Sequence, residues 1–258
     1  MDAAIQPTAI RRIASDRPWH WLALGWNDFT ASLAVSLPYG AALTLAGWVM
    51  GLLMFEAEIA WAILPAGAGF FLVAPLLAAG LYETSRRRAM GLSTTLAQSL
   101  EGFRRNGAQI GLMGVALLLI HLFWVRVATL LFALFFDSSF APSLSALPAA
   151  MLQSPMLLPF LIIGTGFGFV LASAAFTISA ISIPMLVDQP VSALEAITTS
   201  IRAVVENPRP MLLWAGLIVV FTGFALVPFF LGLAVAMPLI GHATWHAYRD
   251  LVDQPSMP

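Results

Sequence analysis

Two histidines near the end of the chain, His242 and His246, lie four residues apart. On an α-helix this spacing sends both imidazole rings from the same face, and two such rings can share a metal ion. A zinc site needs further protein ligands, and no third ligand or general-base glutamate accompanies the pair. Trp245 and Arg249 project from the same third of the helix. We therefore expect this cluster to bind an anion, a lipid headgroup or a protein partner, and to hold no metal.

The alternative is a purely structural role, in which this segment is the end of a helix that leaves the membrane. Trp245, Tyr248 and Arg249 would then form the aromatic and basic collar that is common at a membrane surface. The two histidines would bond lipid phosphate or the end of a neighbouring helix. The spacing alone leaves both interpretations open.

His121 and Arg126 form a second candidate polar site, because both lie inside a long apolar stretch. Ionisable groups at membrane depth are costly and usually face a cavity or a partner. Arg126 is expected either to form an ion pair or to extend toward the membrane surface. Its candidate acidic partners are Glu56, Glu58 and Asp137. The functional alternative is an intramembrane site for an anion or a headgroup.

A haem held by His121 and His242 is disfavoured by their depths. At about 1.5 Å per residue, His121 lies ~21 Å into its helix and His242 ~10 Å from the end of its own. A mismatch of roughly 10 Å on that rise is too large for two axial ligands of one haem. The chain has no cysteine, which excludes thiolate metal sites. No nucleotide-binding or nucleophile-elbow motif occurs, so we expect neither a cofactor nor an enzyme.

The elements that position these residues are membrane helices. Hydrophobic residues make up 60% of the chain, charged residues 10%, and the mean hydropathy is +0.88. Soluble domains do not have this balance. The apolar stretches predict six transmembrane helices, at about residues 31–55, 59–82, 107–136 and 157–187, with residues 211–248 forming two short helices broken near Val227 and Pro228. Residues 18–250 are thus expected to form a single membrane domain, between a flexible N-terminal tail (1–17) and a C-terminal tail (251–258).

The arginines predict which way the chain crosses the membrane. The chain has twelve basic residues, all arginine, and eleven of them fall in the segments that alternate spans leave on one face. The opposite face carries only Glu56, Glu58 and Asp137. This asymmetry indicates a multi-pass membrane protein with both termini in the cytoplasm. No basic tract is dense enough to suggest nucleic acid.

Three connections on the arginine-rich face read as amphipathic helices at the membrane surface. Each has an apolar stripe at helical spacing, and the stripes are Trp19, Leu22, Trp26, Phe29 and Leu33; Leu92, Leu96, Leu100 and Phe103; and Leu194, Ile197, Ile201 and Val205. The second and third match at an offset of 101 residues, with Ser99/Ser200 and Asn106/Asn207 identical. They are consistent with three repeats of an interfacial helix followed by a transmembrane hairpin, although chance similarity between amphipathic helices is an open alternative.

Several short motifs carry a family resemblance. They are Trp-x-x-Leu-Gly-Trp-x-Asp at residues 21–28, the pair Tyr39-Gly40, and the ending Gly-His-Ala-Thr-Trp-His-Ala-Tyr-Arg at residues 241–249. With these motifs the chain resembles a family of bacterial integral inner-membrane proteins of unknown function. The resemblance implies six spans and no established activity. Some relatives are likened to subunit I of cytochrome c oxidase, but this chain has four histidines and no set of haem and copper ligands. That likeness implies at most an accessory association with a respiratory complex.

The sequence therefore predicts a non-catalytic integral membrane protein that acts as a scaffold, as an accessory subunit, or as an organiser of lipids or partners. Its expected partners are the phospholipid bilayer and a membrane protein. A small-molecule transporter or channel is the first alternative, because internal repeats are common in transporters and Arg126 lies within a span. A respiratory accessory protein that binds haem or a metal is the second alternative.

Overall fold

The computed structural model describes residues 9–57, 66–67, 69, 74–136 and 146–253, most of which are helical. The helices, in chain order, are α1 (Arg17–Ala31), α2 (Leu33–Glu56), α3 (Ala79–Ala89), α4 (Leu96–Ser99, continued by the 3-10 helix Leu100–Phe103), α5 (Gly107–Phe135), α6 (Leu147–Gln153), α7 (Leu157–Ser179), α8 (Ser182–Asp188), α9 (Ala193–Glu206), α10 (Pro208–Leu226) and α11 (Leu233–Leu251). Within the described residues the single β pairing is an antiparallel bridge between Ile10 and Val252. The all-α prediction is confirmed.

Four helical stretches of the described chain are long and apolar enough to cross a membrane, and they are Leu33–Glu56, Gly107–Phe135, Leu157–Asp188 and Pro208–Leu226. They coincide with the first, third, fourth and fifth predicted spans. Most of the second predicted span, residues 59–82, lies outside the described residues. The predicted helix break near Val227 is present, because residues 227–232 form turns in which Phe229 and Phe230 have φ of 50° and 65°. The more polar helix α11 follows, where the sixth span is predicted.

Contacts between residues divide the chain into two compact units. The first contains residues 1–45, 75–113 and 176–258, and the second contains residues 46–74 and 114–175. That residues 18–250 form a single membrane domain stays a prediction.

Three helices, α3, α8 and α11, form the centre of the first unit, where each packs on the other two. Each of these central helices also packs against one of the three predicted interfacial segments. Helix α1 packs on α11, α4 and its 3-10 extension pack on α3, and α9 packs on α8. One kind of contact, between a central helix and an interfacial segment, therefore occurs three times in this unit.

The interfacial helix α9 turns small residues toward the protein. Its buried positions include Ala193, Ala196 and Ala203, whereas Leu194 and Val205 are 72% and 68% exposed. The predicted apolar stripe of this helix is thus its outward face. Small side chains let two helices approach closely, which is how membrane helices commonly pack. Ser192 caps α9 by accepting a hydrogen bond from the backbone N–H of Glu195, as the spacing predicts.

The other two interfacial segments also expose large apolar side chains. In α1, Trp21 and Phe29 are buried, and Trp19 and Trp26 of the predicted stripe are about half exposed. The five residues of the predicted stripe were expected to lie on one face of the helix, but they divide between the core and the outside. The second segment is less helical than predicted, because only residues 96–103 form helical turns, and its outward apolar residues are Leu92, Leu96 and Leu100.

The two ends of the described chain are bonded to each other. The backbone N–H of Arg11 donates to the carbonyl of Leu251 at 2.8 Å, next to the bridge between Ile10 and Val252. The side-chain amide of Asn207 also donates to the carbonyl of Arg11 at 3.0 Å. Residues 9–13 of the predicted N-terminal tail are therefore hydrogen bonded to other parts of the first unit, and the flexibility of residues 1–17 stays a prediction.

The second unit has an aromatic cluster at its core. The rings of Phe136 and Phe160 lie 5.2 Å apart, and Phe132 contacts both. Gly69 lies so close to the imidazole of His121 that a Cβ atom there would be 2.5 Å from Cε1.

Candidate functional site

A buried aspartate of α1, Asp28, gathers side chains from two other helices. Its Oδ2 atom accepts hydrogen bonds from Ser85 of α3 at 2.6 Å and from Nε2 of His246 of α11 at 2.8 Å. Its Oδ1 atom lies 2.8 Å from Nε of Arg88, in an ion pair. The Asp28 side chain is only 9% exposed. Because an ionised carboxylate deep in a protein is costly without partners, these three contacts are what allow the charge to be buried.

His242 extends the same network inward. Its ring is completely buried, with Nδ1 2.8 Å from Oγ of Ser85 and Nε2 2.8 Å from Oγ of Ser36 on α2. Ser85 has one hydroxyl proton, which it donates to Asp28, so its oxygen must accept from Nδ1 of His242. Nε2 of the neutral imidazole then accepts a hydrogen bond from the hydroxyl of Ser36. The four side chains form one chain of hydrogen bonds with a defined direction.

The local sequence explains how Asp28 reaches α11. Gly25 lies one turn before Asp28 on the buried face of α1, and a Cβ atom there would come within 2.7 Å of the backbone of Ala243. Glycine therefore allows the two helix backbones to approach closely. Asp28 then lies beside the turn of α11 that carries His246.

The partners of Asp28 also set its protonation. Burial by itself raises the pKa of this carboxyl group, but the hydrogen bonds from His246 and Ser85 outweigh burial and hold the pKa below its ordinary value. Asp28 is therefore ionised at neutral pH. Asp28 supplies one negative charge to the site, and Arg88 supplies one positive charge.

The structure separates the four residues of the predicted terminal cluster. His242 and Trp245 are buried, and His246 faces Asp28 with 19% of its side chain exposed. Nη1 of Arg249 lies 3.5 Å from Oδ2 of Asp188, and 42% of the Arg249 side chain is exposed. These residues do not form one open patch, because α11 is central to its unit and turns most of this face toward α1 and α3. Binding of an anion by this cluster stays a prediction.

Trp245 differs from its neighbours in having an unused donor. Its indole Nε1 is shielded from solvent and has no hydrogen-bond partner among the described residues. The ring packs against Tyr248, with centroids 5.5 Å apart. Tyr248 in turn donates from its hydroxyl to Asp188 at 2.8 Å.

His121 and Arg126 belong to the second unit and do not converge. Five residues separate them on α5, so their side chains leave the helix about 140° apart. Arg126 is exposed and forms no ion pair with a described residue, and Nδ1 of His121 is shielded without a described partner. Two of the predicted partners of Arg126, Glu58 and Asp137, lie outside the described residues, so an ion pair with them stays a prediction.

A second acidic residue of the first unit, Asp250, ties the start of α1 to the end of α11. Asp250 accepts hydrogen bonds from Nε and Nη2 of Arg17 at 2.7 and 2.9 Å and from the indole of Trp21 at 2.8 Å. Burial raises the pKa of Asp250, but the bonds from Arg17 and Trp21 lower it by more, so it stays below its ordinary value.

Sequence reasoning did not identify Asp28, Ser85 or Ser36 as site residues. The available signal was Asp28 itself, the single acidic residue between Arg17 and Glu56. A lone acidic residue in the middle of an amphipathic helix with few charges indicates a buried partner. Nothing in the sequence pairs it with Ser85, which lies 57 residues away.

The arrangement can hold a charge and pass a proton between bonded groups, but it lacks a positioned nucleophile with its base and oxyanion donors. Ser85 contacts His242, yet it donates to Asp28 and so is not activated by the imidazole. The described residues contain no cluster of three or more histidine and acidic side chains arranged to hold a metal ion.

Comparison with known proteins finds a similarity in the central part of the chain. No curated protein and no solved structure matches the chain. The motifs at residues 21–28 and 241–249 lie outside the part that a family model matches. Residues 62–188, just under half of the chain, match the family model described as a predicted integral membrane protein (DUF2189), which confirms the expected resemblance to a membrane-protein family of unknown function.

Proposed function

We propose that this protein is a non-catalytic membrane protein that organises anionic phospholipids at the arginine-rich surface of a bacterial inner membrane. The observation that carries the proposal is the outward placement of large apolar side chains on all three interfacial segments. Leu194 and Val205 of α9 and Leu96 and Leu100 of α4 are among them. Exposed apolar stripes beside arginines are suited to lie among headgroups and upper acyl chains.

The proposal includes six spans with both termini in the cytoplasm. The bridge between Ile10 and Val252 supports termini on one side, because the two ends of the described chain are hydrogen bonded to each other. The distribution of arginine supports the cytoplasm as that side. The helix α11 supports a sixth span, since it follows the turn at residues 227–232 and returns the chain toward Arg249.

Three repeats of one unit form part of the same proposal. Asn106 and Asn207, identical at the offset of 101 residues, make similar contacts. The amide of Asn106 donates to the carbonyl of Val191, just before α9, at 2.7 Å. The amide of Asn207 donates to the carbonyl of Arg11, ahead of α1, at 3.0 Å. Each asparagine thus follows one interfacial segment and binds the backbone leading to the next, which supports a cyclic arrangement of repeats.

Positive charge is available for anionic lipid on this side of the molecule. Arg12, Arg104 and Arg209 are exposed and form no ion pair with another described residue. Arginine and lysine near an anionic membrane surface each contribute about 1 kcal/mol to binding. Three such residues near apolar stripes favour anionic over zwitterionic headgroups.

The test of this proposal is the lipid that co-purifies in mild detergent. We expect lipids such as phosphatidylglycerol to be several-fold enriched over the membrane extract, as quantified by mass spectrometry. Arg12→Gln, Arg104→Gln and Arg209→Gln combined should remove most of this enrichment. Arg126→Gln, which removes one positive charge from the second unit, serves as a control for the loss of an arginine elsewhere. A wild-type lipid profile equal to that of the membrane would refute the proposal.

A small-molecule transporter or channel is the second candidate, and the chain from Ser36 through His242 and Ser85 to Asp28 favours it. Buried ionisable residues in a membrane protein commonly mark proton or ion pathways. In liposomes with a trapped pH dye, a proton-coupled transporter would show flux that His242→Gln abolishes while the protein remains folded. Flux no faster than in empty liposomes would remove this candidate.

An accessory role beside a respiratory complex, with or without haem or a metal, stays a prediction. An absorbance scan and protein identification of the native detergent extract test it together. A Soret band or a stoichiometric respiratory subunit would favour that role over lipid organisation.

A further inference from the structure

A cavity of about 550 Å³ opens in the first unit between the start of α2 and the loop that follows α3. One wall is residues 31–35, at the junction of α1 and α2. The other wall is Arg88 and residues 91–94. Its size falls within the range of small-molecule sites, roughly 300–1,000 Å³. Arg88 is the one residue it shares with the network around Asp28.

The loop that closes this cavity is fixed by the end of α3. Gly91 has a φ of 74°, in the left-handed region that favours glycine. Its N–H bonds the carbonyl of Arg88 at 2.9 Å, and the N–H of Leu92 bonds the carbonyl of Arg87 at 3.0 Å. This pair of bonds is the Schellman arrangement, which ends a helix in a defined geometry. Leu92, Ser93 and Thr94 are thereby held opposite the start of α2.

The walls of the cavity offer hydrogen-bond donors suited to a phosphate. Arg88 uses Nε for Asp28, and neither of its Nη groups bonds a described residue, while 42% of the side chain is exposed. Ser32 and Ser93 supply hydroxyl groups, and the backbone N–H groups of Ser93 and Thr94 bond no described acceptor. A guanidinium with two free amino groups binds phosphate oxygens in a bidentate manner.

Charge near the cavity favours an anion. Residues 83–105 carry five arginines and two glutamates, a formal net charge of +3. The carboxylate that pairs with Arg88, Asp28, also accepts hydrogen bonds from Ser85 and His246. An arriving anion therefore meets an acidic group whose charge is compensated.

The rim of the cavity is apolar. Leu33 and Leu92 line it and are 43% and 51% exposed. The exposed leucine Leu37 follows Leu33 one turn along α2, and the exposed Leu96 begins α4 four residues after Leu92. A polar pocket with an apolar rim fits an amphipathic ligand better than a free ion, because the leucines would bury acyl methylenes.

We propose that this cavity binds the phosphate of an anionic phospholipid headgroup, with the acyl chains along Leu33 and Leu92. The inference rests on the proposed function and makes it specific, because it assigns one saturable lipid site. Arg88 contacts the phosphate, Ser32 and Ser93 donate to its oxygens, and the lipid charge balances the excess of arginine.

Native mass spectrometry of the detergent-purified protein tests this site by titration. The three probes are phosphatidylglycerol, phosphatidylcholine and inorganic phosphate. We expect one saturable site for phosphatidylglycerol and weaker binding of the other two. Arg88→Gln should weaken the phosphatidylglycerol site about tenfold, as expected for loss of a charge-assisted hydrogen-bond pair.

A second variant is needed because Arg88→Gln also breaks the ion pair with Asp28 and so changes the stability of the fold. Ala34→Leu fills the cavity from α2, leaves Arg88 in place, and should weaken the site by a similar factor. Ala23→Leu makes the same substitution at an exposed alanine of α1 that does not line the cavity, and should have no effect.

Three results would overturn the proposal. Binding of phosphatidylglycerol unchanged by Ala34→Leu would show that the lipid lies elsewhere. Equal binding of phosphatidylcholine would remove the preference for an anionic headgroup, and equal affinity for inorganic phosphate would make free phosphate the ligand. Enrichment of anionic lipid in the purified wild-type protein separates failure of this site from failure of the proposed function. Enrichment without binding at this cavity would refute only the site. No enrichment would refute the proposed function itself.

Discussion

The imidazole of His242 donates from Nδ1 to Oγ of Ser85, 2.8 Å away, because Ser85 gives its own proton to Asp28. This direction of bonding links four helices through side chains that are far apart in sequence. It also makes His242 part of the interior rather than of a ligand-binding surface. The buried network around Asp28 is therefore first a means of holding α1, α2, α3 and α11 together.

The first prediction is the tautomer of His242. We expect its neutral ring to carry the proton on Nδ1, which is the less common form of free histidine. Nitrogen-15 NMR of histidine-labelled protein in lipid should show this signal, assigned by its loss in His242→Gln. A ring protonated only on Nε2 would contradict the hydrogen-bond direction, since Ser36 could then no longer donate to it.

The second prediction concerns Ser85→Ala. The substitution removes a donor to the Asp28 carboxylate and leaves Nδ1–H of His242 buried without a partner. We expect a loss of about 2–3 kcal/mol in the free energy of unfolding, measured by titration with denaturing detergent. Ser15→Ala, at an exposed serine, is the control and should change stability by less than about 0.5 kcal/mol. Equal stability of the two variants would mean that the network contributes little.

The third prediction is a loss of stability in acid. The pKa values of Asp28 and Asp250 are held below the ordinary value of 3.8 in the folded protein. A depressed folded-state pKa stabilises the protein above the unfolded-state pKa, and this contribution is lost as the pH falls through the folded-state value. Thermal unfolding in detergent should therefore change little between pH 7 and 5 from these groups, and the midpoint should fall below roughly pH 4.

Asp28→Asn provides the internal comparison for that titration. The variant should be less stable than wild type at pH 7, because Arg88 and His246 lose their acidic partner. Its stability should then fall less steeply in acid than that of wild type. Parallel acid profiles for the two proteins would show that Asp28 does not contribute to the acid transition.

The sequence predicted the helices better than it predicted their faces. Length and hydropathy suffice to find α2, α5 and α10, and a six-residue turn marks the break that Pro228 was expected to cause. The apolar stripe of α9 points outward, as expected of an amphipathic helix at the membrane surface, whereas that of α1 divides between the core and the outside. In water a large apolar stripe marks the core, whereas beside lipid the core can use alanine and serine, as Ala196 and Ser200 do.

The site was harder to predict than the fold because its contacts are long-range. Spacing on one helix places His242 and His246 on the same face, but their partners Ser36, Ser85 and Asp28 come from three other helices. Hydrophobic periodicity carries no information on which polar residues of separate helices meet. Asp28 was placed off the apolar stripe of α1, where a polar residue is normally solvated, although its helix face is buried.

The fourth prediction is the orientation of the chain. The absence of native cysteine allows single cysteines to be introduced without background. Ser93→Cys, at an exposed position, should react with a membrane-impermeant maleimide from the cytoplasm only, and Ser138→Cys, outside the described residues, should react from the periplasm. A cysteine at Ser85 would be uninformative because that side chain is 1% exposed. Labelling of Ser93→Cys in intact cells would reverse the assigned orientation.

The most direct test of the account is the depth of the outward faces of the interfacial segments in a bilayer. Leu96→Cys and Val205→Cys, each labelled with a fluorophore and reconstituted into phosphatidylglycerol vesicles, should be quenched strongly by lipids carrying a nitroxide just below the headgroup. A label at the exposed position Ser15→Cys should be quenched weakly. Equal, weak quenching at all three positions would place these apolar faces away from lipid and contradict the proposed function.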